Sequence, residues 1–271
     1  MTVSDDLQRI LAWLTDWLAG GGGLLLMTDY DGTLTPIVSD PADADLDPEV
    51  RAHLATLGQS PQVRIAIISG RDLADVRRRV ALPDLVYAGC HGLEIEGPDF
   101  AFSHPEAEAQ QEFVRTVGEA LSRRAPAVEG MRVEPKRLAV AVHYRDVAAD
   151  EMRRVEMELA RAIQRPGSRL KVFHGTKVLE ILPQVGWNKG DCALWLRDRM
   201  VRELATPAMV FYMGDDWTDE FTFEALAGQA ITVRVGAGDM PSKADYRLDS
   251  VAEAQALVAA LAGVAPPRGA R

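Results

Sequence analysis

The chain has 271 residues, of which 47% are hydrophobic and 26% are charged, and its formal net charge is −10. This composition is typical of a globular protein, and the acidic charge disfavours nucleic acids and anionic membranes as partners. Two cysteines are too few for a disulfide scaffold, and the acidic, amphipathic first 18 residues are unlike a signal peptide. We therefore expect a cytoplasmic protein.

Short apolar runs recur in the first and last thirds of the chain and predict the buried strands of a parallel sheet. They comprise residues 24–28, 63–68, 85–88, 208–213 and 230–235. Helical patterns lie between several of them, around residues 48–57 and 73–80. This alternation predicts an α/β fold with a parallel-sheet core.

The middle of the chain has a different rhythm, in which a helix is followed by two strands and the unit occurs twice. The predicted helices cover 106–124 and 147–164, and the predicted strands cover 131–134, 138–144, 170–174 and 178–182. Antiparallel hairpins with helices on one face predict a small α+β domain inserted into the core. We expect residues 1–103 and 184–271 to form the core, residues 104–183 to form the inserted domain, and residues 265–271 to be disordered.

Two carboxylates follow the first predicted strand directly. Asp29 and Asp31 lie in the segment Asp-Tyr-Asp-Gly-Thr-Leu-Thr, and open α/β sheets bind ligands beyond the carboxyl ends of their strands. Carboxylates this close repel each other unless a cation joins them or one takes up a proton, and both remedies suit phosphoryl transfer. One Asp would attack phosphorus beside a magnesium ion while the other carries a proton. The alternative interpretation is an Asx turn that closes a loop.

Three further clusters lie at comparable positions. Ser69, in Ile-Ser-Gly-Arg, follows the second strand, where a hydroxyl and backbone amides can hold phosphate oxygens. Lys189 precedes a predicted helix and would offset acidic charge. Four acids lie within residues 215–220 after another strand, and magnesium prefers such hard oxygen ligands. The alternative interpretations are a routine turn at Ser69, a solvated surface lysine at Lys189 and an acidic helix start at residues 215–220. The combination of the clusters is more specific than any one of them.

In this order, the clusters resemble the motifs of the haloacid dehalogenase superfamily, and in detail those of its trehalose-6-phosphate phosphatases. The resemblance is carried by residues 29–37, 69–71, 88–92, 94, 142–145, 177–180, 183, 187–190, 214–220 and 242–248. It covers the chain from about residue 24 to residue 248. It implies a Rossmann-like parallel-sheet core, and it identifies the inserted α+β domain as a cap that closes over the sugar.

The resemblance also implies the reaction and its residues. Asp29 would form an aspartyl-phosphate, and Asp31 would protonate the leaving sugar hydroxyl and then activate water. Ser69 and Lys189 would hold the phosphoryl group and steady Asp29. The implied Mg²⁺ site comprises Asp29, the backbone carbonyl of Asp31 and Asp215, with Asp216 and Asp219 supporting the ion or its waters.

Sugar recognition is implied for polar residues of the cap and of the core strand ends. Those of the cap are Glu134, Lys136, Arg145 and Glu180, and those of the core are Arg71, His91 and Glu94. The cap residues would equally form cross-strand salt bridges on a solvated face, and His91 would equally be a structural residue. Cys90 stands where the family pattern usually has Ser, and a thiol is a weaker hydrogen-bond partner.

We therefore expect a magnesium-dependent phosphatase that acts on trehalose 6-phosphate. The alternatives are a related capped phosphatase for sucrose phosphate or a mannosyl phosphoglycerate, a phosphomutase, and a non-catalytic sugar-phosphate-binding module. A binding module predicts the loss of a core acid, whereas Asp29, Asp31 and Asp215 are present. We expect a monomer whose partner is its small-molecule substrate, with no nucleic acid and no membrane. Functional pairing with a trehalose-6-phosphate synthase would be in trans.

Overall fold

The computed structural model describes residues 4–164, 169–175, 177–204, 207–238 and 240–265. The chain divides into two compact units, the larger comprising Met1–Ala101 and Trp187–Arg271 and the smaller comprising Phe102–Gly186. Of the tail expected to be disordered, residues 266–271 lie outside the described residues, whereas Ala265 is described and buried.

Both units contain helices and strands. The helices are Asp5–Ala19 (α1), Pro48–Gly58 (α2), Leu73–Val80 (α3), Pro105–Glu108 (α4), Gln111–Arg124 (α5), Met152–Ile163 (α6), Lys189–Met200 (α7), Trp217–Ala225 (α8) and Val251–Val264 (α9). The strands are Gly23–Thr28 (β1), Val63–Ile68 (β2), Val86–Gly89 (β3), Glu94–Glu96 (β4), Ala101–Ser103 (β5), Arg132–Pro135 (β6), Val140–His143 (β7), Leu170–Gly175 (β8), Val178–Pro183 (β9), Ala208–Gly214 (β10), Ile231–Val235 (β11) and Tyr246–Leu248 (β12). None of the helices in the described part of the chain has both the length and the hydropathy needed to cross a bilayer.

The sheet of the larger unit is parallel from β12 to β3. Within the described residues its order is β12-β11-β10-β1-β2-β3-β4-β5. Every residue of β1 is buried, which explains its continuous apolar run, because a central parallel strand is covered on both faces. The order places β1 between β10 and β2, so that the carboxyl ends of these three strands meet at one edge. The predicted α/β fold with a parallel-sheet core is confirmed.

The edges of this sheet differ from the prediction. β4 pairs antiparallel with β3, and β12 extends the opposite edge in parallel with β11. Both strands have three residues and carry charged side chains, in Glu-Ile-Glu and Tyr-Arg-Leu. Strands this short lack the continuous apolar run by which the central strands of a parallel sheet are recognised.

The prediction of one continuous helix over 106–124 is wrong, because the helix is interrupted between α4 and α5. The backbone N–H of Gln110 donates to the carbonyl of Ala107 at 3.0 Å, which closes α4 with a tight i→i−3 bond. α5 then begins anew, with the N–H of Val114 donating to the carbonyl of Gln110. The helix expected over 147–164 likewise begins as a 3₁₀ turn over Ala149–Glu151 before α6.

The smaller unit is a four-stranded antiparallel sheet with the order β6-β7-β9-β8, described for residues 102–164, 169–175 and 177–186. On β7 and β9, alternate residues belong to one apolar cluster with the helices α5 and α6. The cluster includes Val140, Val142, Leu179 and Ile181 from the strands. The intervening positions point to the second face of the sheet, because side chains alternate along a strand.

Candidate active site

The residues predicted to carry the chemistry lie at the carboxyl ends of neighbouring strands in the larger unit. Asp29 follows β1, Ser69 follows β2 and Asp215 follows β10. Lys189 is the first residue of α7, whose start is fixed by a capping box between Asn188 and Asp191, in which Asp191 Oδ2 accepts the N–H of Asn188 at 2.9 Å. The motif around Lys189 therefore forms the start of a helix, and this start fixes the position of the lysine backbone.

Asp29 and Lys189 form a buried ion pair. Lys189 Nζ lies 2.7 Å from Asp29 Oδ1, and the two residues are 2% and 6% exposed. The backbone N–H of Asp29 donates to the carbonyl of Met213 at 2.8 Å, which ties the end of β1 to the neighbouring β10. A fixed cation beside a carboxylate is the arrangement that a phosphoryl acceptor needs, because it holds the oxygen in place and offsets its charge.

Asp219 is the second partner of Lys189, and it is fully buried. Lys189 Nζ lies 2.6 Å from Asp219 Oδ1, while Asp219 Oδ2 accepts the backbone N–H groups of Asp215 and Asp216 at 3.1 and 3.0 Å. Asp216 is the N-cap of α8 and accepts the N–H of Trp217 at 2.7 Å. Both oxygens of Asp219 are thus engaged within the protein, whereas Asp216 fixes the start of the helix that carries Asp219.

Asp215 faces the loop that follows Asp29. Gly32 lies so close to it that a Cβ added there would be 2.1 Å from Asp215 Oδ2, and Thr33 Oγ1 lies 3.5 Å from Asp215 Oδ1. Gly32 has a φ of 77°, which side-chain-bearing residues rarely adopt. The glycine of the Asp-Tyr-Asp-Gly motif therefore serves both the turn and the close approach of Asp215.

The electrostatics of this group favour a bound cation. Burial raises the pKa of Asp29 to about 7 against the opposing charge of Lys189. Burial raises the pKa of Asp215 to about 9, and the charges of Asp29 and Asp219 add to the shift. Burial alone would lower the pKa of Lys189, but the charges of Asp219 and Asp29 hold that pKa well above its usual value. One lysine among these carboxylates leaves an excess of negative charge that a divalent ion would relieve.

The donor atoms also fit a divalent metal. Asp29, Asp215 and Asp219 each offer one carboxylate oxygen, and these atoms lie within 4.8 Å of one another. Carboxylate oxygens are the ligands that hard cations such as Mg²⁺ and Ca²⁺ prefer. Asp29 and Asp215 are the more available of the three, since Asp219 already accepts hydrogen bonds on both oxygens.

Arg71, predicted as a sugar ligand, binds Asp31 within the larger unit. Its Nε and Nη2 atoms each donate to the Asp31 carboxylate at 2.7 Å, which forms a bidentate pair. Nη1 donates to Asp75 Oδ2 at 2.8 Å, and Nη2 also donates to the carbonyl of Pro41 at 2.9 Å. Ser69 is buried, and its hydroxyl accepts the backbone N–H of Arg71 at 3.1 Å. The guanidinium is thereby fixed, and it fixes the Asp31 carboxylate in turn.

His91 lies in the turn that follows β3, and Glu94 begins β4 directly after that turn. Cys90 and His91 have φ values of 49° and 57°, in the left-handed region, and their N–H groups donate to the carbonyls of Arg71 and Ser69. Glu94 is 6% exposed, and its Oε2 lies 4.0 Å from the buried Cys90 Sγ. The turn is thus pinned to the segment that carries Ser69 and Arg71, and Cys90 has the Glu94 carboxylate as a neighbour.

The candidates predicted in the smaller unit form pairs on the second face of its sheet. Lys136 Nζ lies 2.9 Å from Glu180 Oε1, and both side chains are largely buried. Glu134 Oε2 lies 2.9 Å from His143 Nε2. Arg145 follows β7 in a turn and is exposed. Three of the four predicted residues therefore lie on or beside one sheet face, whereas Arg145 lies beyond the end of the strand.

Register shows which residues share this face. Phe173, Glu180, Ala141 and Glu134 form one row across β8, β9, β7 and β6. The small Ala141 lies between two acidic residues, and an aromatic ring ends the row. The sequence analysis did not single out Phe173 or His143. Strand alternation from Glu180 and Glu134 would have found both, once the pairing of the strands was known.

Comparisons with known proteins agree with this architecture. The family model described as Trehalose-phosphatase matches residues 27–252. The trehalose-phosphate phosphatase of Mycobacterium marinum is 39% identical over 230 residues, which are 83% of this chain and 57% of the relative. That of Mycobacterium avium is 35% identical over 263 residues, which are 94% of this chain and 66% of the relative. The chain thus spans less than two thirds of the length of these relatives.

Solved structures show the same fold. The C-terminal domain of Candida albicans trehalose-6-phosphate phosphatase has a TM-score of 0.76 at 23% identity, covering 94% of this chain and 97% of that domain. Aspergillus fumigatus trehalose-6-phosphate phosphatase, in crystal form 3, has a TM-score of 0.61 at 29% identity, covering 97% of this chain and 99% of that structure. The resemblance inferred from the motifs is confirmed. The chain belongs to the trehalose-phosphatase family.

Proposed function

We propose that this chain hydrolyses trehalose 6-phosphate to trehalose and phosphate. The observation that carries the proposal is the buried Asp29 carboxylate at the end of a central strand, 2.7 Å from Lys189 Nζ and beside Asp215. Family membership supports the substrate, since the relatives reported above are named for trehalose phosphate. The fold alone does not identify the activity, because the C-terminal domain of the Candida albicans trehalose synthase regulatory protein shares it, with a TM-score of 0.66 and 13% identity.

In the proposed mechanism Asp29 attacks phosphorus and Asp31 works as acid and base. The Asp29 carboxylate forms a bond to phosphorus as the bond to the sugar oxygen breaks, and Asp31 gives that oxygen a proton. Asp31 then takes a proton from the water that cleaves the aspartyl-phosphate, which releases phosphate and restores Asp29. Lys189 and Ser69 hold phosphoryl oxygens, and Arg71 orients the Asp31 carboxylate through its two hydrogen bonds.

We assign the direct metal ligands to Asp29, Asp215 and the backbone carbonyl of Asp31, with Mg²⁺ as the ion. When bound, Mg²⁺ supplies positive charge against the phosphoryl oxygens and lowers the pKa of the neighbouring carboxyl groups. Asp219 acts behind these ligands, because its oxygens hold Lys189 and the amides that present Asp215. Asp216 supports the site as the cap of α8.

We assign sugar recognition to the polar face of the smaller unit, which would serve as a cap. A disaccharide presents many hydroxyls, and these require donors and acceptors. Glu134, Lys136 and Glu180 supply them, and Phe173 supplies an apolar surface in the same row. Further candidates for substrate contact are Arg71, Arg145, His91 and Glu94.

The test is phosphate release from trehalose 6-phosphate, sucrose 6-phosphate and glucose 6-phosphate, with Mg²⁺ and with EDTA. We expect strong preference for the first substrate and loss of release in EDTA. Asp29→Asn should abolish turnover because it removes the nucleophile and keeps the shape. Asp198→Asn, at a side chain that is 59% exposed, is the matched control and should leave turnover unchanged. Magnesium-dependent release from another sugar phosphate would retain the chemistry and reject the assigned substrate.

Location and partners extend the proposal. We place the protein in the cytoplasm as a monomer that works in trans with a trehalose-6-phosphate synthase. Size-exclusion chromatography tests the monomer, and co-purification from a cell extract tests the pairing. A stable dimer would reject the monomer, and absence of the synthase under mild conditions would reject the pairing.

A further inference from the structure

Tyr212 is a buried tyrosine of β10 that the proposed mechanism does not use. It is fully buried, and its hydroxyl donates to Asp219 Oδ1. Its ring packs edge-on against Phe223 of α8, with centroids 5.8 Å apart. Phe223 and Asp219 both belong to α8, so the tyrosine is held by the ring and the hydroxyl at two points of one helix. A packed ring of this kind has little freedom to move its hydroxyl elsewhere.

The hydroxyl meets the same oxygen that binds Lys189. Asp219 Oδ1 lies 2.6 Å from Lys189 Nζ, and Lys189 Nζ lies 2.7 Å from Asp29 Oδ1. Tyr212, Asp219, Lys189 and Asp29 therefore form a continuous chain of buried polar contacts. The other oxygen of Asp219 is taken by backbone amides, so the hydroxyl and the ammonium share Oδ1.

We propose that Tyr212 is a positioning residue, which acts through Asp219 and Lys189 on the nucleophile Asp29; the inference rests on the proposed function. With the hydroxyl in place, the charge on Asp219 Oδ1 is met by two donors, and Lys189 is shared between two carboxylates. Without it, Lys189 alone faces that oxygen and is drawn towards Asp219, because a buried carboxylate that loses a donor attracts the remaining cation more strongly. Lys189 then supports Asp29 and the phosphoryl oxygens less well.

Tyr212→Phe tests the proposal, because it removes the hydroxyl and keeps the ring. Tyr87→Phe is the matched control: Tyr87 is also a buried tyrosine on a strand of the larger unit, and its hydroxyl donates to the carbonyl of Leu82 at 2.7 Å. Tyr212→Phe removes one hydrogen bond to a carboxylate, whereas Tyr87→Phe removes two to the backbone, since that hydroxyl also accepts the N–H of Leu82 at 3.3 Å. Both melting temperatures should therefore fall. Only Tyr212→Phe should lower kcat, by about 10-fold, on both trehalose 6-phosphate and p-nitrophenyl phosphate.

A second measurement separates this inference from the proposed substrate. Titration with inorganic phosphate in the presence of Mg²⁺ reports the phosphoryl site whatever the sugar, and Tyr212→Phe should weaken the affinity by about 10-fold while Tyr87→Phe leaves it unchanged. An unchanged Mg²⁺ concentration for half-maximal phosphate binding is also expected, since the amides that present Asp215 bind the other oxygen of Asp219. Wild-type phosphate affinity in Tyr212→Phe, or equal losses in both variants, would overturn the inference. A wild-type protein that binds phosphate but hydrolyses none of the sugar phosphates would instead reject the proposed function.

Discussion

Alanine substitutions at Gly32 and Gly228 distinguish the cost of backbone strain from the effect of a steric clash with Asp215. Gly32 has a φ of 77°, and Gly228, in an exposed turn after α8, has a φ of 69°. An alanine in this region costs about 1–2 kcal/mol, which corresponds to a fall in melting temperature of about 2–8 °C for a protein of this size. The surroundings differ, because a Cβ at Gly228 meets nothing within 4 Å, whereas one at Gly32 would lie 2.1 Å from Asp215 Oδ2.

The extra cost of Gly32→Ala therefore falls on Asp215. Non-bonded carbon and oxygen atoms approach to roughly 3.3 Å, so the carboxylate or the loop must move by about 1 Å. A displacement of this size at a reacting centre lowers the rate by about 100-fold. We expect Gly32→Ala to lower kcat/KM by that factor and to raise the Mg²⁺ concentration for half-maximal activity.

The assay is phosphate release over a range of Mg²⁺ concentrations, with thermal unfolding in parallel. Gly228→Ala should lose stability and keep the wild-type activity and Mg²⁺ dependence. If Gly32→Ala kept the wild-type Mg²⁺ dependence, the assignment of Asp215 as a metal ligand would be wrong. If both variants lost activity equally, strain rather than contact would explain the loss.

Three further predictions concern charge. Burial raises the pKa values of Asp29 and Asp215 to about 7 and about 9, so the folded, metal-free protein binds more protons than the unfolded chain above about pH 4. The free energy of unfolding in EDTA should fall as pH rises through these values, and urea unfolding should show that Mg²⁺ removes the slope; a flat profile in EDTA would contradict the prediction. Glu180→Gln should lower kcat/KM for trehalose 6-phosphate by about 10-fold or more and leave kcat/KM for p-nitrophenyl phosphate unchanged. The control Asp146→Asn, in an exposed ion pair of the same unit, should leave both values unchanged. Equal losses of Glu180→Gln on both esters would reject a role in sugar recognition. Arg71→Lys keeps the positive charge but loses the bidentate contact with the Asp31 carboxylate, so kcat should fall by about 10-fold on both esters. A wild-type kcat would contradict the role of Arg71 in positioning Asp31.

The places of the catalytic candidates at the strand ends could be predicted from the sequence, but the hydrogen-bond partners of their side chains could not. Asp29 and Asp215 follow buried apolar strands, and parallel strands bring their carboxyl ends to one edge. The bidentate pair between Arg71 and Asp31 was not predicted, because a guanidinium pairs with whichever carboxylate the fold places beside it. Tyr212 lies within an apolar run, and the sequence around it does not indicate a polar partner. Its partner Asp219 comes close only because α8 packs on β10.

The last motif of the chain shows how a distant segment bears on the site. Glu220 follows Asp219 on α8, and its Oε1 accepts the Ser242 hydroxyl at 2.8 Å and Arg234 Nη1 at 2.9 Å, while its Oε2 accepts the backbone N–H of Lys243 at 2.8 Å. The helix is thus held on one side by Lys189, through Asp219, and on the other by the segment that begins at Ser242. Since α8 carries Asp219, which orients Lys189 and accepts the amides of Asp215 and Asp216, the segment near the carboxyl terminus stabilises the geometry of the site without reaching it. This accounts for a motif at the end of the chain that contains no group for the chemistry.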